Sequence, residues 1–227
     1  MLEAYSIVKM ILKKINENLQ KALIDKGLTE ANEMQQETFS TIKSGADCVI
    51  IAPAKSGKTT TLVMNVIQRL EKEFEESPRA LIIVPNKEKL IEMKILFEEL
   101  GNYTDLRVYG VHDKGDIDFD KNHISLGIDV LIGTPNRISE MFASAGFDVN
   151  RLKMYIIEDA DELLRLRFDT KLARMSEAMG KTQRILFSEN ITERIDSFAD
   201  RIMIEPVFFE MDGEDFEEED EETDEEN

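Results

Sequence analysis

The stretch "APAKSGKTT", residues 52–60, follows the apolar run "CVIIA" and opens a segment of helical period. Glycine, lysine and a hydroxyl residue in succession, Gly57, Lys58 and Thr59, at a strand-to-helix junction make up a phosphate-gripping loop. Backbone N–H groups running from Ala54 through Lys55, Ser56 and Gly57 to Thr60 would face an anion. The Lys58 ammonium would reach its outer phosphates, and the Thr59 hydroxyl would ligate Mg²⁺. Lys55 stands where such loops usually carry glycine. A left-handed backbone there costs a non-glycine residue about 1–2 kcal/mol. The expectation is weakened rather than lost binding, with a second ammonium beside the phosphates as a partial offset.

A nucleotide-hydrolysing site also needs acids at the end of a neighbouring strand. "MYIIEDADELL" sets Glu158, Asp159 and Asp161 directly after an apolar run. One acid, Glu158, is expected to hold the hydrated Mg²⁺, and the next, Asp159, to orient or deprotonate an attacking water. Acids opening a helix for electrostatic reasons alone are the competing account. The loop at 52–60 in the same chain favours the catalytic one.

These residues need strands and helices to hold them. Short apolar runs ("DCVIIA", "RALIIVP", "LRVYGV", "DVLIGT", "KMYIIED", "RILFS", "RIMIEPVFF") alternate with helix-period segments such as "TTTLVMNVIQRLEKEF" and "KEKLIEMKILFEEL". Continuous apolarity marks strands covered on both faces, and strands separated by helices predict an α/β doubly wound, mainly parallel sheet. Ligands in such sheets lie at the carboxyl ends of the strands, where both the loop and the acids fall. Upstream, helices are predicted over residues 4–26, stopping at Gly27, and from Glu30 to Lys43, ending near Gly45. Residues 113–127, with weak periodicity, read as a surface loop, and His112 and His123 as solvated histidines without metal partners.

The chain has 227 residues and a formal net charge of -19, but Glu210 to Asn227 carries 13 acidic and no basic residues, leaving 34 acids against 28 bases before it. The body is therefore near balance and compatible with a polyanionic partner. The expected division is one folded domain over 1–211, with N-terminal helices in 1–46, and an acidic disordered tail over 212–227. Cys48 alone excludes an intramolecular disulfide framework and reads as a buried thiol. The N-terminus interleaves Glu3, Lys9, Lys13 and Lys14 with apolar residues, and no run approaches the roughly 18 apolar residues of a membrane span. A monomeric, intracellular protein, cytoplasmic or nuclear, with no membrane contact, is expected.

Together these motifs resemble the N-terminal RecA-like ATPase domain of the DEAD-box RNA helicases, from about Met10 to Phe209. The resemblance implies ATP and Mg²⁺ as cofactors and single-stranded RNA, held by its backbone, as partner. "GLTEANEMQ" is similar to the family's adenine-reading motif, with Gln35 as the reader, Ala31 where proline is usual and Met10 where an aromatic residue is usual. "VPNKEKL" and "IGTPNRI" are similar to the RNA-backbone motifs and imply contacts from Lys87, Thr134 and Arg137; Gly110 falls near the family's paired-glycine turn but stands alone. "EDAD" replaces the family's DEAD, exchanging its first two acids, and "SEN", with Ser188, Glu189 and Asn190, replaces the motif that couples hydrolysis to strand separation. Moving a carboxylate by about 1 Å can cost about 10²-fold in rate.

After "IEPVFF" the acidic run begins, and no second RecA-like domain follows in this sequence. Related phosphoryl transfers owe about 10³–10⁵ in rate to an arginine supplied by a second partner or domain. The expectation is a degenerate domain that binds ATP·Mg²⁺ and half of an RNA groove, weak or inactive alone, with a C-terminal RecA-like domain or a protein partner completing it. The alternative is a pseudo-helicase retained as a protein-interaction scaffold.

Overall fold

The computed structural model describes residues 14–211; the first part of the one or two helices predicted over 4–26, the base-stacking position Met10 and the acidic tail lie outside the described residues, and the described helix there starts only at Glu17, capped by Asn16. Helices α1 (Glu17–Asp25) and α2 (Glu33–Ser44) precede the first strand, β1 (Cys48–Ile51). Asn32 and Gln35 begin α2 with a reciprocal capping box, and Gly45, at φ 90°, ends it. The capping pair moves the start of α2 three residues past the predicted Glu30.

The chain then alternates: α3 (Lys58–Leu70), β2 (Ala80–Ile83), α4 (Lys87–Leu100), β3 (Val108–Val111), α5 (Ile117–Ser125), β4 (Val130–Gly133), α6 (Pro135–Ala143) and β5 (Met154–Ile157). It finishes with α7 (Ala160–Arg165), α8 (Asp169–Ala178), β6 (Gln183–Ser188), α9 (Glu193–Ile202) and β7 (Val207–Glu210). The strands form a seven-stranded sheet in the order β3-β4-β2-β5-β6-β1-β7. Every pairing is parallel. The expected α/β doubly wound architecture is present.

Alternate strand residues serve opposite faces. Cys48, Ile50, Ile82 and Phe187 pack with Leu19, Phe39, Leu62 and Met93 of α1–α4, whereas Val49, Ile51, Leu81 and Tyr155 pack with Ile138, Leu163, Leu172 and Phe198 of α6–α9. Both faces are covered, which is why the strands read as unbroken apolar runs. Among the described residues no helix is long and apolar enough to cross a membrane.

Two further sequence expectations are corrected. Residues 117–125 form α5, not a loop: Asp116 caps it, accepting from the N–H groups of Asp118 and Phe119, and Ile124 is buried. Its apolar residues are too few to give a strong period, and the cap carries the signal instead. The helix expected to continue to Phe74 stops at Leu70, where Glu71 turns to φ 62°.

Candidate functional site

Parallel strands put the loops after β1, β2, β4, β5 and β6 along one edge of the sheet, and the chemistry-bearing motifs meet there. Within the phosphate loop, Ala54 and Lys55 are exposed and Ser56 is buried. Lys55 has φ 63° and Gly57 φ 86°, so the bend expected to need positive φ has it. Gly57 caps α3 without a side chain, leaving the first-turn N–H groups of Lys58, Thr59 and Thr60 free of a side-chain cap. The Lys58 ammonium is folded back, donating to the carbonyls of Ala52 and Pro53 at 2.7 Å each. Burial lowers its pKa, an effect opposed by the charges of Glu189, Glu158, Asp159 and Asp161.

Thr59 Oγ1 donates to Glu158 Oε1 at 2.8 Å, across 99 residues of chain. Glu158 is 0% exposed, and its second oxygen has no hydrogen-bond partner among the described residues. Burial pushes its carboxyl up to about 7, with the Asp159 charge adding to the rise and Thr59, Lys89 and Lys58 opposing it. Asp159 occupies the left-handed region at φ 50°, ψ 50° at the N-cap position of α7, without a side-chain capping hydrogen bond. Its carboxyl is raised by burial and drawn back by Lys89 and Lys58. Lys55 and Asp159 are thus both strained, one in each of the two motifs, and backbone strain commonly accompanies function. A divalent cation fits the donors present: an orphaned, buried carboxylate oxygen with a threonine hydroxyl beside it. Among the described residues no cluster of three or more His, Cys, Asp or Glu forms a metal cage, so water and phosphate oxygens would supply the remaining ligands.

Gln35 reaches this edge through its cap. Its Oε1 accepts from the Asn32 backbone at 3.2 Å, while Asn32 Nδ2 donates to the Ser56 carbonyl at 3.0 Å, tying α2 to the loop. A methyl group on Gly57 would lie 3.2 Å from Asn32 Nδ2 and 3.9 Å from Gln35 Nε2, so a side chain at position 57 would crowd this junction.

On the far side, Ser188 Oγ donates to the Asn190 carbonyl at 2.9 Å, and Asn190 Nδ2 donates to Asp161 Oδ2 at 3.3 Å. "SEN" and "EDAD" are thereby joined. Glu189 lies 3.8 Å from the Lys58 ammonium. An open cleft of about 910 Å³ begins at Asp159 and is lined by Asp161, Arg165, Glu189, Asn190 and Arg194.

The residues matched to RNA-backbone motifs separate into two groups. Lys87 is exposed at the first position of α4. Thr134 and Arg137 are buried and engaged within the chain. Thr134 Oγ1 donates to Asp113 Oδ1 at 2.8 Å, and the Arg137 backbone N–H donates to the same oxygen at 3.1 Å. The Arg137 guanidinium donates to the carbonyls of His112 (3.0 Å), Asp113 (3.2 Å) and Gly115, and to Glu140 (3.2 Å). Gly110 has a packing reason of its own: a methyl group there would meet Leu90 Cδ2 at 2.7 Å.

Sequence reasoning missed three participants. Asn32 was legible as the first residue of an N-x-x-Q cap. Lys89 lies two residues past Lys87 and was readable only as a second basic residue. Asp113 had no sequence signal; the long-range contact alone identifies it.

A DEAD/DEAH box helicase family model matches residues 32–198. The chain is 26% identical over 195 residues to the ATP-dependent RNA helicase eIF4A of Eremothecium gossypii, covering 86% of this chain and 49% of that protein. It is 24% identical over 195 residues to eukaryotic initiation factor 4A of Caenorhabditis elegans, covering 86% and 48%. In fold it is similar to the crystal structure of a DEAD box protein from the hyperthermophile Methanococcus jannaschii, with a TM-score of 0.82, 21% identity and coverage of 88% of this chain and 55% of that one. The chain thus spans about half the length of the curated relatives it matches.

Proposed function

This chain belongs to the DEAD/DEAH box helicase family, and we propose that it seats ATP with Mg²⁺ between the loop at residues 54–60 and the acids after β5. It would offer single-stranded RNA one half of a backbone groove, and unwinding would need a second domain. The observation that carries this reading is the Thr59–Glu158 hydrogen bond of 2.8 Å, which brings the phosphate loop and the acid motif to one point.

In this reading Gln35 reads the adenine. The N–H groups of the loop and of the first turn of α3 hold the phosphates, and Lys58 leaves the carbonyls of Ala52 and Pro53 to meet the outer ones. Thr59 and Glu158 would hold the Mg²⁺, which would supply neutralisation of phosphate charge. Asp159, with its raised carboxyl pKa, positions the attacking water and accepts its proton. Asn190 holds Asp161 and links this turn to the coupling segment. The exchanged acids make hydrolysis slow, because the base at 159 is one methylene shorter than the family's glutamate. Lys87 contacts the RNA backbone directly, whereas Thr134 and Arg137 require Asp113 to give way. Residues 1–211 act as the domain and 212–227 as a solubilising tail.

A second reading, an interaction scaffold with residual ligand binding, draws on the same contacts: Asp113 sits on Thr134 and Arg137, and Lys58 on its own loop. A crystal structure with a nonhydrolysable ATP analogue separates the two. Triphosphate density over residues 55–59 with the Lys58 ammonium turned toward it supports nucleotide use. An analogue absent at saturating concentration, with Lys58 still on Ala52 and Pro53, supports the scaffold.

A further inference from the structure

Among the described residues, the Lys89 ammonium approaches the acids after β5 yet has no part in the roles above. Lys89 Nζ lies 3.8 Å from Glu158 Oε1, and its side chain is 21% exposed. We propose that Lys89 is a resident cation of the triphosphate seat, so that a nucleoside triphosphate binds with only weak dependence on Mg²⁺. This rests on the nucleotide reading above and specifies how the seat meets its ligand.

The backbone explains how Lys89 arrives there. Strands β2 and β5 are neighbours with Ile83 opposite Ile157, and the Glu158 N–H donates to the Ile83 carbonyl at 3.0 Å. Segments following the two strands therefore lie side by side. Asn86 fixes the first turn of α4 by accepting from the Lys89 N–H at 2.9 Å, which sets the direction in which this side chain leaves the helix.

The charge pattern explains what it does there. A fully buried carboxylate requires a counter-charge, and Glu158 has one oxygen held by Thr59 and the other without a hydrogen-bond partner among the described residues. Lys58 is bound to two loop carbonyls and lies 3.8 Å from Glu189, so its charge is shared. Lys89 also approaches Glu92 at 3.4 Å, but that carboxylate is 60% exposed and screened by water. Two adjacent acids would ordinarily repel a triphosphate until a divalent ion neutralised them. Here the Lys89 ammonium, 3.8 Å from Glu158, does part of this without a metal, and its charge lowers the carboxyl pKa of both Glu158 and Asp159.

The test is a titration of the full chain with N-methylanthraniloyl-labelled ATP, once with Mg²⁺ and once with EDTA. The wild type should lose less than about tenfold in affinity on metal removal, whereas Lys89→Leu should lose more than about tenfold and Lys89→Arg should follow the wild type. If Lys89→Leu melts at a lower temperature, Lys89→Gln against Lys89→Arg supplies the same contrast of charge. An equal loss in wild type and in the neutral variants overturns the proposal while leaving nucleotide binding intact. Absence of binding by the wild type in both buffers overturns the nucleotide reading, and this inference with it.

Discussion

Asp113 Oδ1 accepts the Thr134 hydroxyl at 2.8 Å, placing a carboxylate of the β3–α5 connection at the N-terminus of α6. The same oxygen accepts the Arg137 N–H at 3.1 Å. An RNA phosphate directed to these donors must displace a charge already in place. Asp113→Ala should tighten binding of a single-stranded oligoribonucleotide by about five- to tenfold at low salt. It should also steepen the salt dependence by about 0.7 in log–log slope, as one added phosphate contact does. Fluorescence anisotropy across a salt series checks this, with a melting curve to verify the fold; an unchanged affinity removes Thr134 and Arg137 from the RNA path.

Glu189 lies 3.8 Å from the Lys58 ammonium, which the proposed triphosphate would have to meet. It is 45% exposed, so the pair is solvent-screened. Glu189→Ala should raise affinity for ATP·Mg²⁺ by up to about fivefold, the equivalent of about 1 kcal/mol. Equilibrium dialysis measures it, and weaker binding by the variant contradicts this placement of charge.

At the opposite edge of the sheet, Asp129 is 0% exposed and accepts from Arg79 Nη2 at 2.6 Å and Arg107 Nε at 2.9 Å. Burial alone would raise its carboxyl pKa, but hydrogen bonds from Arg107, Arg79 and the Phe74 N–H hold it below the ordinary 3.8. A depressed acid stabilises the fold above its unfolded value and loses that contribution as pH falls, so acid unfolding should begin below about pH 4. Asp129→Ala leaves Arg79 buried without its counter-charge and should cost about 3–5 kcal/mol. Thermal melting at neutral pH should show a midpoint lower by about 10 °C; a shift within error contradicts the assignment.

Cys48 lies inside β1 at 0% exposure, and burial, with a smaller contribution from the Asp47 charge, pushes its thiol from 9.0 to about 12. Native protein should therefore resist Ellman's reagent at pH 8 and react fully once denatured. A raised thiol pKa favours the fold below the unfolded value of 9.0, and that contribution is lost as pH rises toward 12. Rapid labelling of the native chain contradicts the burial of β1.

The fold was legible because its signals are local. Runs such as Ala80–Ile83 and Met154–Ile157 are apolar on both faces, which only a covered parallel sheet requires, and Gly45 and Gly57 sit at positive φ where a helix ends and another begins. Lys55 was readable as a strained bend for the same reason. The helix at 117–125 was not legible: five of its nine residues are exposed, and its definition lies in the Asp116 cap and the Asp120–Tyr109 contact at 2.9 Å. The site divides similarly. Motif spacing located Lys58, Thr59 and the acids, but Lys89, Glu189 and Asp113 act through distances that only β-strand adjacency creates, and a linear reading has no access to charges that meet across the sheet.

The central claim is that a Mg²⁺-bearing triphosphate sits on the Lys58 loop beside Glu158. Isothermal titration of ATP with Mg²⁺ into the wild type and into Lys58→Ala tests it most directly. Saturable heat from the wild type, with affinity reduced at least about tenfold in a folded Lys58→Ala variant, is the predicted result. Equal binding by both proteins, or no heat from the wild type at millimolar ATP, would contradict it.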